Sequence, residues 1–397
     1  MNATTPIAAA AAAASTSTNE HGQRAAAMIT VLVAALAALG VVLVYSSTSV
    51  GIAMKAQDAT LFLRRQLLWV TLGAGVFTLA RTTDLKALRR WAWPLIGLTA
   101  LALILVLVPG IGKKINGARR WIRVAGFNGQ PSELAKITLV VFCAAWASGR
   151  RAQLASLRGS LPALGVVALV AGLVAVEPDM GTALLLATVA TTVLLAGGVP
   201  FKHLFMIGAP GALVLFVFAA RKLTYITHRI NAFLDPAADP GGVAYQTRQA
   251  VIAIGSGGPF GVGLGASQQK LLFLPDVHTD FIFALVGEEL GFLGAMCVLL
   301  AFSGLVVLGM KAIDRARDDF AFLLALGLLL TVGGQSVLNM AVATASVPPK
   351  GIALPFISFG GSSLLFAAAA AGLIAKVAAD GAPPERAPVE VPETWSE

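Results

Sequence analysis

Long uncharged apolar runs recur along this chain and constrain its fold more than any other sequence feature. A helix needs about 20 mostly apolar residues to cross a bilayer, where only its own backbone can satisfy its hydrogen bonds. The runs predict an all-α, polytopic membrane protein with about ten transmembrane helices and a large extracellular loop between helices 7 and 8. The predicted spans are residues 27–45, 63–80, 91–108, 134–147, 161–176, 180–199, 204–220, 281–310, 320–342 and 362–377.

The overall composition supports lipid as the solvent of most of the chain. Hydrophobic residues make up 57% of the sequence and charged residues only 12%, about half the charged share of a soluble domain. A net charge of +9 is compatible with nucleic acid binding, yet the basic residues lie in loops and form no separate basic domain. We therefore expect a lipid bilayer and no nucleic acid as partner. Cys143 and Cys297 lie inside apolar runs and show neither disulfide nor metal-site spacing.

The domain organisation follows from the same pattern. An Ala/Ser/Thr-rich stretch, 1–24, predicts a disordered tail, and 379–397 predicts a second one. Between them, 25–378 forms one ten-helix membrane domain. The first apolar run lacks a basic segment before it and a clear cleavage site, so we interpret it as a retained span. An even number of spans places both termini on one side of the membrane.

The charge of the loops indicates the orientation. Short loops near 81–90, 150–158 and 311–317 are rich in Lys and Arg, which favours the cytoplasm for them and for both termini. The two longest loops, 113–136 and 221–270, are also basic but lie on the outer side in this topology. Either they bind an anionic ligand, or they crossed the membrane because long loops do so regardless of charge. The periplasmic loop is predicted over 221–280.

The first motif with chemical potential joins this loop to the eighth predicted span. It reads Leu-Pro-Asp-Val-His-Thr-Asp-Phe, with His278 and Asp280 near its end, and continues into Gly-Glu-Glu-Leu-Gly with Glu288 and Glu289. Asp280 is either a functional carboxylate at the outer mouth of the span or a helix N-cap. Acidic residues within a span are costly, so Glu288 and Glu289 are expected to line a cavity or to be paired.

A second motif lies between the ninth and tenth predicted spans. It reads Pro-Pro-Lys-Gly-Ile-Ala-Leu-Pro-Phe-Ile-Ser-Phe-Gly-Gly-Ser-Ser and contains Lys350, Ser358 and Ser362. Its prolines prevent a continuous helix, and irregular backbone at membrane depth survives where it lines protein or a watery cavity. Lys350 is either a cation for a phosphate group or an anchor that extends its ammonium to the interface.

Further patterns lie in or beside the loops, and one lies in the ninth predicted span. Arg119, Arg120 and Trp121 follow an Asn-Gly pair, and Pro131 with Ser132 predicts a helix start. Glu133 and Lys136 stand three residues apart, a spacing typical of a helical salt bridge. An acidic turn, Glu-Pro-Asp, spans 177–179. Gln335 and Asn339 share one helix face and predict interhelical hydrogen bonds. The Gly-rich run 255–265 lacks the context of a phosphate-binding loop and is expected to fold back over the bundle.

These motifs resemble the SEDS family (shape, elongation, division and sporulation) over about 27–377, in the family's order. Within the family, Gly before the glutamate pair and Lys350 between Pro and Gly favour the division enzymes over the elongation enzymes. Phe359 stands where the family more often has Tyr, and Asp276 where it more often has Glu. Neither departure removes Asp280.

The resemblance implies a function and a set of roles. It implies a bacterial inner-membrane peptidoglycan glycosyltransferase that polymerises lipid II at the division septum, together with a class B penicillin-binding protein and other divisome membrane proteins. The family's catalytic aspartate falls on Asp280, with Glu288 and Glu289 in support. Residues expected to bind substrate are Trp121, Glu133, Lys136, Lys350, Arg119, Arg120, His278, Ser358 and Ser362.

Two other functions stay open from the residues. A transporter that flips lipid II also needs a cationic cavity and intramembrane carboxylates, and a RodA-like elongation polymerase shares the chemistry. A purely structural scaffold of the division machinery does not explain why carboxylates and a lysine gather on the outer loops. The sequence contains no dedicated metal site and leaves the need for a divalent cation open.

Overall fold

The computed structural model describes residues 5–53, 60–115, 118–124, 127–206, 233, 243–269 and 277–381 of the 397-residue chain. Helices dominate, as the sequence predicted, and a small sheet accompanies them. The described helices are α1 (Thr5–Ala53), α2 (Leu61–Thr82), α3 (Leu85–Arg90), α4 (Ala92–Leu107), α5 (Pro131–Ala147), α6 (Arg151–Leu154), α7 (Leu157–Val176), α8 (Met180–Ala196), α9 (Val243–Ser256), α10 (Ile282–Glu289), α11 (Gly291–Asp314), α12 (Asp319–Ala343) and α13 (Gly361–Asp380).

Five described stretches are long and apolar enough to cross a membrane, and they lie in α1, α7, α11, α12 and α13. Two shorter apolar helices, α4 and α8, accompany them. The count of ten spans stays a prediction. Most of the predicted seventh span, the parts 221–232, 234–242 and 270–276 of the predicted loop, Asp276 included, and residues 382–397 of the predicted C-terminal tail lie outside the described residues.

Short polar residues start several of these helices. The side chains of Asp84, Ser156, Asp179 and Asp318 each accept a hydrogen bond from a backbone N–H in the first turn of α3, α7, α8 and α12. Such caps satisfy donors that no preceding turn can bind. Helix α5 begins at Pro131, as the sequence predicted.

Two helix bounds differ from the sequence expectation. Helix α1 begins at Thr5, within the predicted disordered tail 1–24, because its alanine-rich sequence has the highest helix propensity. The eighth predicted span, 281–310, is not one helix. It is interrupted at Leu290 and Gly291, where α10 ends and α11 begins. Gly291 has φ +70°, a left-handed conformation that glycine adopts without strain.

A three-stranded antiparallel sheet covers part of the bundle, a feature that the all-α prediction did not include. Its strands are β1 (Gly112–Ile115), β2 (Ala118–Val124) and β3 (Phe127–Gly129), in the order β1-β2-β3. Strand β2 packs against α4 and α5, and β3 packs against α13.

The bundle has two ends with different contents. Gly22 of α1 lies against the Ala378 carbonyl and Gly381 against Arg315, so the Gly22 region of α1 and the C-terminal end of α13 lie at the same end of the bundle. We name this end, which also carries Arg150, the Arg150 end. The opposite end carries the sheet, the α7–α8 turn and Asp280, and we name it the Asp280 end.

Candidate active site

Asp280 is half-buried in the turn that precedes α10, and its carboxylate contacts the loop between α12 and α13 (residues 344–360), which we name the Lys350 loop. Helix α10 has Phe281 as its N-cap residue, without a side-chain cap bond, so Asp280 is not the N-cap that one interpretation of the sequence expected. A methyl group at Gly351 would lie 2.8 Å from Asp280 Oδ2. Glycine at this position therefore permits the loop to approach the carboxylate.

Two polar side chains fix this approach. Asn339 Nδ2 donates to the Asp280 carbonyl at 2.8 Å and to the Ile352 carbonyl at 2.7 Å. Ser358 Oγ donates to the Thr279 carbonyl at 2.6 Å and accepts from the Leu354 N–H at 2.8 Å. The turn around Asp280 and the Lys350 loop are thus held together on both sides of the carboxylate.

Lys350 lies next to Gly351 and packs against the start of α8. A Cβ atom on Gly181 would lie 3.3 Å from Lys350 Cδ, so the small residue makes room for the lysine stem. Lys350 is half-buried, and within the described part of the chain its ammonium makes no ion pair. A cation therefore lies one residue from the glycine that contacts Asp280.

An aromatic group closes the other side of the Asp280 turn. The His278 ring stands edge-on to Phe62 at a centroid distance of 5.6 Å, and Phe359 lies 5.8 Å from it. The Phe359 N–H donates to the His278 carbonyl at 2.9 Å. His278 thus belongs to the same cluster as Asp280 and is joined to α2 and the Lys350 loop.

Glu133 and Lys136 form a buried ion pair inside the bundle. Lys136 Nζ lies 2.8 Å from Glu133 Oε1 and donates to Gln335 Oε1 at 2.6 Å. Gln335 Nε2 in turn donates to the Ala353 carbonyl at 2.8 Å. The predicted salt bridge and the predicted interhelical bond of Gln335 are confirmed, whereas Asn339 bonds to the Asp280 turn and to the loop after α12 and not to another helix. This network links α5 through α12 to the Lys350 loop.

Arg120 reaches from strand β2 to the acidic turn between α7 and α8. Its guanidinium donates to the Glu177 carbonyl at 2.9 Å and to the Pro178 carbonyl, and lies 3.8 Å from the Asp179 carboxylate. Gln130 Nε2 also donates to Asp179, at 3.3 Å. Arg120 therefore joins the sheet to the start of α8, on which Lys350 packs.

Glu177 in this turn is fully buried, and within the described residues its carboxylate oxygens have no hydrogen-bond partner. Burial, together with the negative charge of Asp179, raises the pKa of Glu177 to about 8, although Arg120 lowers it. The side chain thus stays protonated at neutral pH.

Glu288 and Glu289 are almost fully buried and both are paired, as the sequence predicted. Glu288 accepts from Ser267 Oγ and from the Gln268 N–H at 2.8 Å. Glu289 accepts from Ser46 Oγ at 2.6 Å. The two carboxylates therefore attach the segment after α9 and helix α1 to α10.

The Gly-rich run folds back over the break between α10 and α11, as predicted. The Val262 N–H donates to the Glu288 carbonyl at 3.0 Å, and the Phe292 N–H donates to the Gly258 carbonyl at 2.8 Å. These bonds satisfy backbone groups that the interrupted helix leaves free. Gly261 has φ +81°, and a side chain there would overlap Glu289 backbone atoms.

The remaining predicted residues lie at the Asp280 end but outside this cluster. Arg119 and Trp121 are half-buried on β2, and Ser362 is buried in the first turn of α13. No sequence signal marks Gly181 and Gly351, because their role depends on contacts with distant residues. Ser46 could have been expected, because a Ser-Ser-Thr group in an apolar helix suits a buried carboxylate. Among the described residues, no group of three or more His, Cys, Asp or Glu could hold a metal ion.

This architecture defines a polytopic membrane protein with a carboxylate and a lysine in one fixed polar cluster at one end of its helix bundle. The profile of the FtsW/RodA/SpoVE family, described as cell cycle proteins, matches residues 26–382. The chain belongs to this family.

Individual relatives agree. The chain is 41% identical to a probable peptidoglycan glycosyltransferase FtsW of Trichlorobacter lovleyi, over 89% of the chain and 92% of the relative. It is 35% identical to stage V sporulation protein E of Bacillus subtilis, over 88% and 96%. Among solved structures, a chain of a peptidoglycan synthase complex superposes with a TM-score of 0.68 at 31% identity, covering 88% of this chain and 96% of that one. RodA of Thermus thermophilus superposes with a TM-score of 0.64 at 30% identity, covering 90% of this chain and 97% of that one.

Proposed function

We propose that this protein is an FtsW-type peptidoglycan glycosyltransferase that polymerises lipid II into glycan strands. The names of several relatives support this activity, among them FtsW proteins 38–41% identical over most of the chain. The observation that carries the proposal is the contact of the Asp280 carboxylate with Gly351, next to Lys350.

Asp280 would act as the general base. The acceptor sugar hydroxyl loses its proton to the carboxylate while its oxygen forms a bond to the anomeric carbon of the donor. The bond from that carbon to the diphosphate oxygen breaks, and the lipid diphosphate leaves. A single displacement converts the α-linked donor into a β-linked product without a covalent intermediate, by analogy with inverting glycosidases.

Lys350 would stabilise the diphosphate as negative charge develops on it. A lysine ammonium binds phosphate as a point charge, and the fixed loop keeps this charge near the base without reorganisation. Arg120 and Lys136 are less suitable, because their described contacts are to carboxylates, carbonyls and Gln335. We assign them to positioning of α8 and of the Lys350 loop.

The test is polymerisation of lipid II in detergent by the purified chain with a candidate class B penicillin-binding protein. Asp280→Asn keeps the size of the side chain but removes the base, and should lower the rate about 10²- to 10⁴-fold. Asp319→Asn, an exposed residue at the Arg150 end, makes the same chemical change and should be neutral. Near-normal polymer from a folded Asp280→Asn protein would refute the base role. Absence of polymer from the wild type would favour a flippase.

The same resemblance suggests a location. We place the protein in the bacterial inner membrane at the division septum, with the Asp280 end in the periplasm and both termini in the cytoplasm. The basic α2–α4 connection supports this orientation. In intact cells of a variant lacking Cys143 and Cys297, an impermeant thiol reagent should fail to label a cysteine at position 87. Labelling there would invert the topology.

A further inference from the structure

A cationic cavity lies at the Arg150 end, away from the candidate active site. It has a volume of about 280 Å³ and lies between α3, the start of α4 and the end of α5. Helix α5 runs from beside the Asp179 turn to this cavity, a distance of about 25 Å for its length. The principal lining side chains are Lys86, Arg89, Arg90, Arg150, Trp93 and Trp146.

The charge of this cavity is unbalanced. Four cations line it and no carboxylate does. Asp84, on the same short helix, caps it by accepting from the Lys86 backbone N–H. Among the residues that the structure describes, none of the four cations forms an ion pair. Cations gathered without an acidic partner repel one another, and an anion relieves this repulsion.

Arg89 and Arg150 are held in place by hydrogen bonds that use one N–H donor of each guanidinium. Arg89 donates one N–H to the Ser148 carbonyl at 3.4 Å, and Arg150 donates one to the Trp146 carbonyl at 3.2 Å. The Arg150 guanidinium also lies 4.5 Å from the centre of the Trp146 ring. Each guanidinium has five N–H donors in a rigid plane, a geometry that suits phosphate.

Trp93, which lines the cavity, also begins an apolar stripe on α4. Trp93, Leu101 and Ile104 lie on one helix face and are 54%, 51% and 47% exposed. Gly97 lies on the same face, and a side chain there would meet nothing within 4 Å. Exposed Trp residues are typical of the membrane interface, where lipid headgroups begin. The cations therefore lie at headgroup depth beside a surface that lipid covers.

We propose that this cavity binds the headgroup phosphate of an anionic phospholipid, with an acyl chain along the Trp93–Ile104 face. A diphosphate lipid or free inorganic phosphate shares the anionic chemistry. The exposed α4 stripe favours a lipid, because free phosphate has no apolar group that could pack against it. Basic pockets between transmembrane helices are typical sites for anionic lipid headgroups.

The test measures thermal unfolding of the full-length protein in a neutral detergent with added lipid. Phosphatidylglycerol should raise the unfolding midpoint by a few degrees in a saturable manner. Phosphatidylcholine with the same acyl chains and inorganic phosphate should have much smaller effects. Arg89→Gln with Arg150→Gln should weaken the phosphatidylglycerol affinity about tenfold or more, because two charge-assisted contacts are lost.

Two further variants keep the test decisive. Arg158→Gln with Arg317→Gln removes the same charge from exposed positions at the Arg150 end and should retain the affinity. Lys86→Gln with Arg90→Gln removes two exposed cations of the cavity. This variant replaces the Arg89→Gln, Arg150→Gln variant in the test if that protein does not fold. Equal stabilisation by phosphatidylcholine, equal loss in the control pair or an unchanged affinity in both cavity pairs would overturn the proposal. An unchanged affinity in both cavity pairs would favour an acidic protein segment as the ligand of the cavity. Equal stabilisation by inorganic phosphate would identify the cavity as a site for soluble phosphate.

Discussion

Replacing Lys136 by Met should destabilise the protein strongly while preserving the length of the side chain. The Lys136 and Glu133 side chains are only 6% and 10% exposed, so the substitution leaves a buried carboxylate without its cation. Breaking a buried ion pair in this way costs about 3–5 kcal/mol. Gln335 Oε1 also loses its donor, at a cost of about 1–3 kcal/mol. The sum is a large fraction of a typical stability of about 5–15 kcal/mol.

A second variant separates charge from packing. Lys136→Met combined with Glu133→Gln removes both ions, so it should recover most of the lost stability. Lys376→Met is the matched control, because Lys376 and Asp380 form a similar intrahelical pair whose side chains are 21% and 37% exposed. Its loss should cost about 0.3–0.5 kcal/mol.

The assay is thermal or denaturant unfolding in detergent, followed by lipid II polymerisation by the stable variants. A Lys136→Met protein as stable as Lys376→Met would refute the reasoning. A stable neutral double variant with a reduced but measurable rate would assign the pair to positioning of the Lys350 loop. A stable double variant with no activity would place one of the two groups on the substrate.

Three other predictions concern the Asp280 end. Lys350→Met should strongly suppress polymerisation and Lys350→Arg should retain some, whereas equal activity of Met and wild type would identify Lys350 as an interfacial anchor. Gly351→Ala should displace the Asp280 carboxylate and lower the polymerisation rate by up to about 10²-fold with little loss of stability. Gly360→Ala is the control and should be tolerated, because its added methyl group would meet only Ser363 Cβ, at 3.5 Å. The pKa of a Glu side chain is ordinarily 4.5, but that of Glu177 is raised to about 8. Between these two pH values the folded state holds a proton that the unfolded chain releases. The free energy of unfolding should therefore fall by up to about 1.4 kcal/mol for each unit that the pH rises between these two values. Glu177→Gln should abolish this slope.

The sequence alone determined the parts of this protein that depend on local pattern. Apolar runs predicted the membrane helices, because lipid leaves the backbone no other way to satisfy its hydrogen bonds. The spacing of Glu133 and Lys136 predicted their salt bridge, and the spacing of Gln335 and Asn339 predicted a shared polar face. The cost of burying Glu288 and Glu289 predicted that both would be paired. The resemblance to the family, carried by its motifs, suggested the role that we propose for Asp280.

Tertiary structure alone decided which distant residues meet. Ser46 and Glu289 are 243 residues apart in sequence yet share hydrogen bonds, and Asp280 contacts Gly351 although three helices lie between them in the chain. The sequence around Gly351 does not show this contact, and the Ser-Ser-Thr group around Ser46 suits a buried carboxylate without showing which one, because only the packing of the helices decides which residues meet. The burial of Glu177 is of the same kind, since an acidic turn is ordinarily solvated. Its raised pKa arises because the surrounding chain removes water from a carboxylate that the sequence places in a turn.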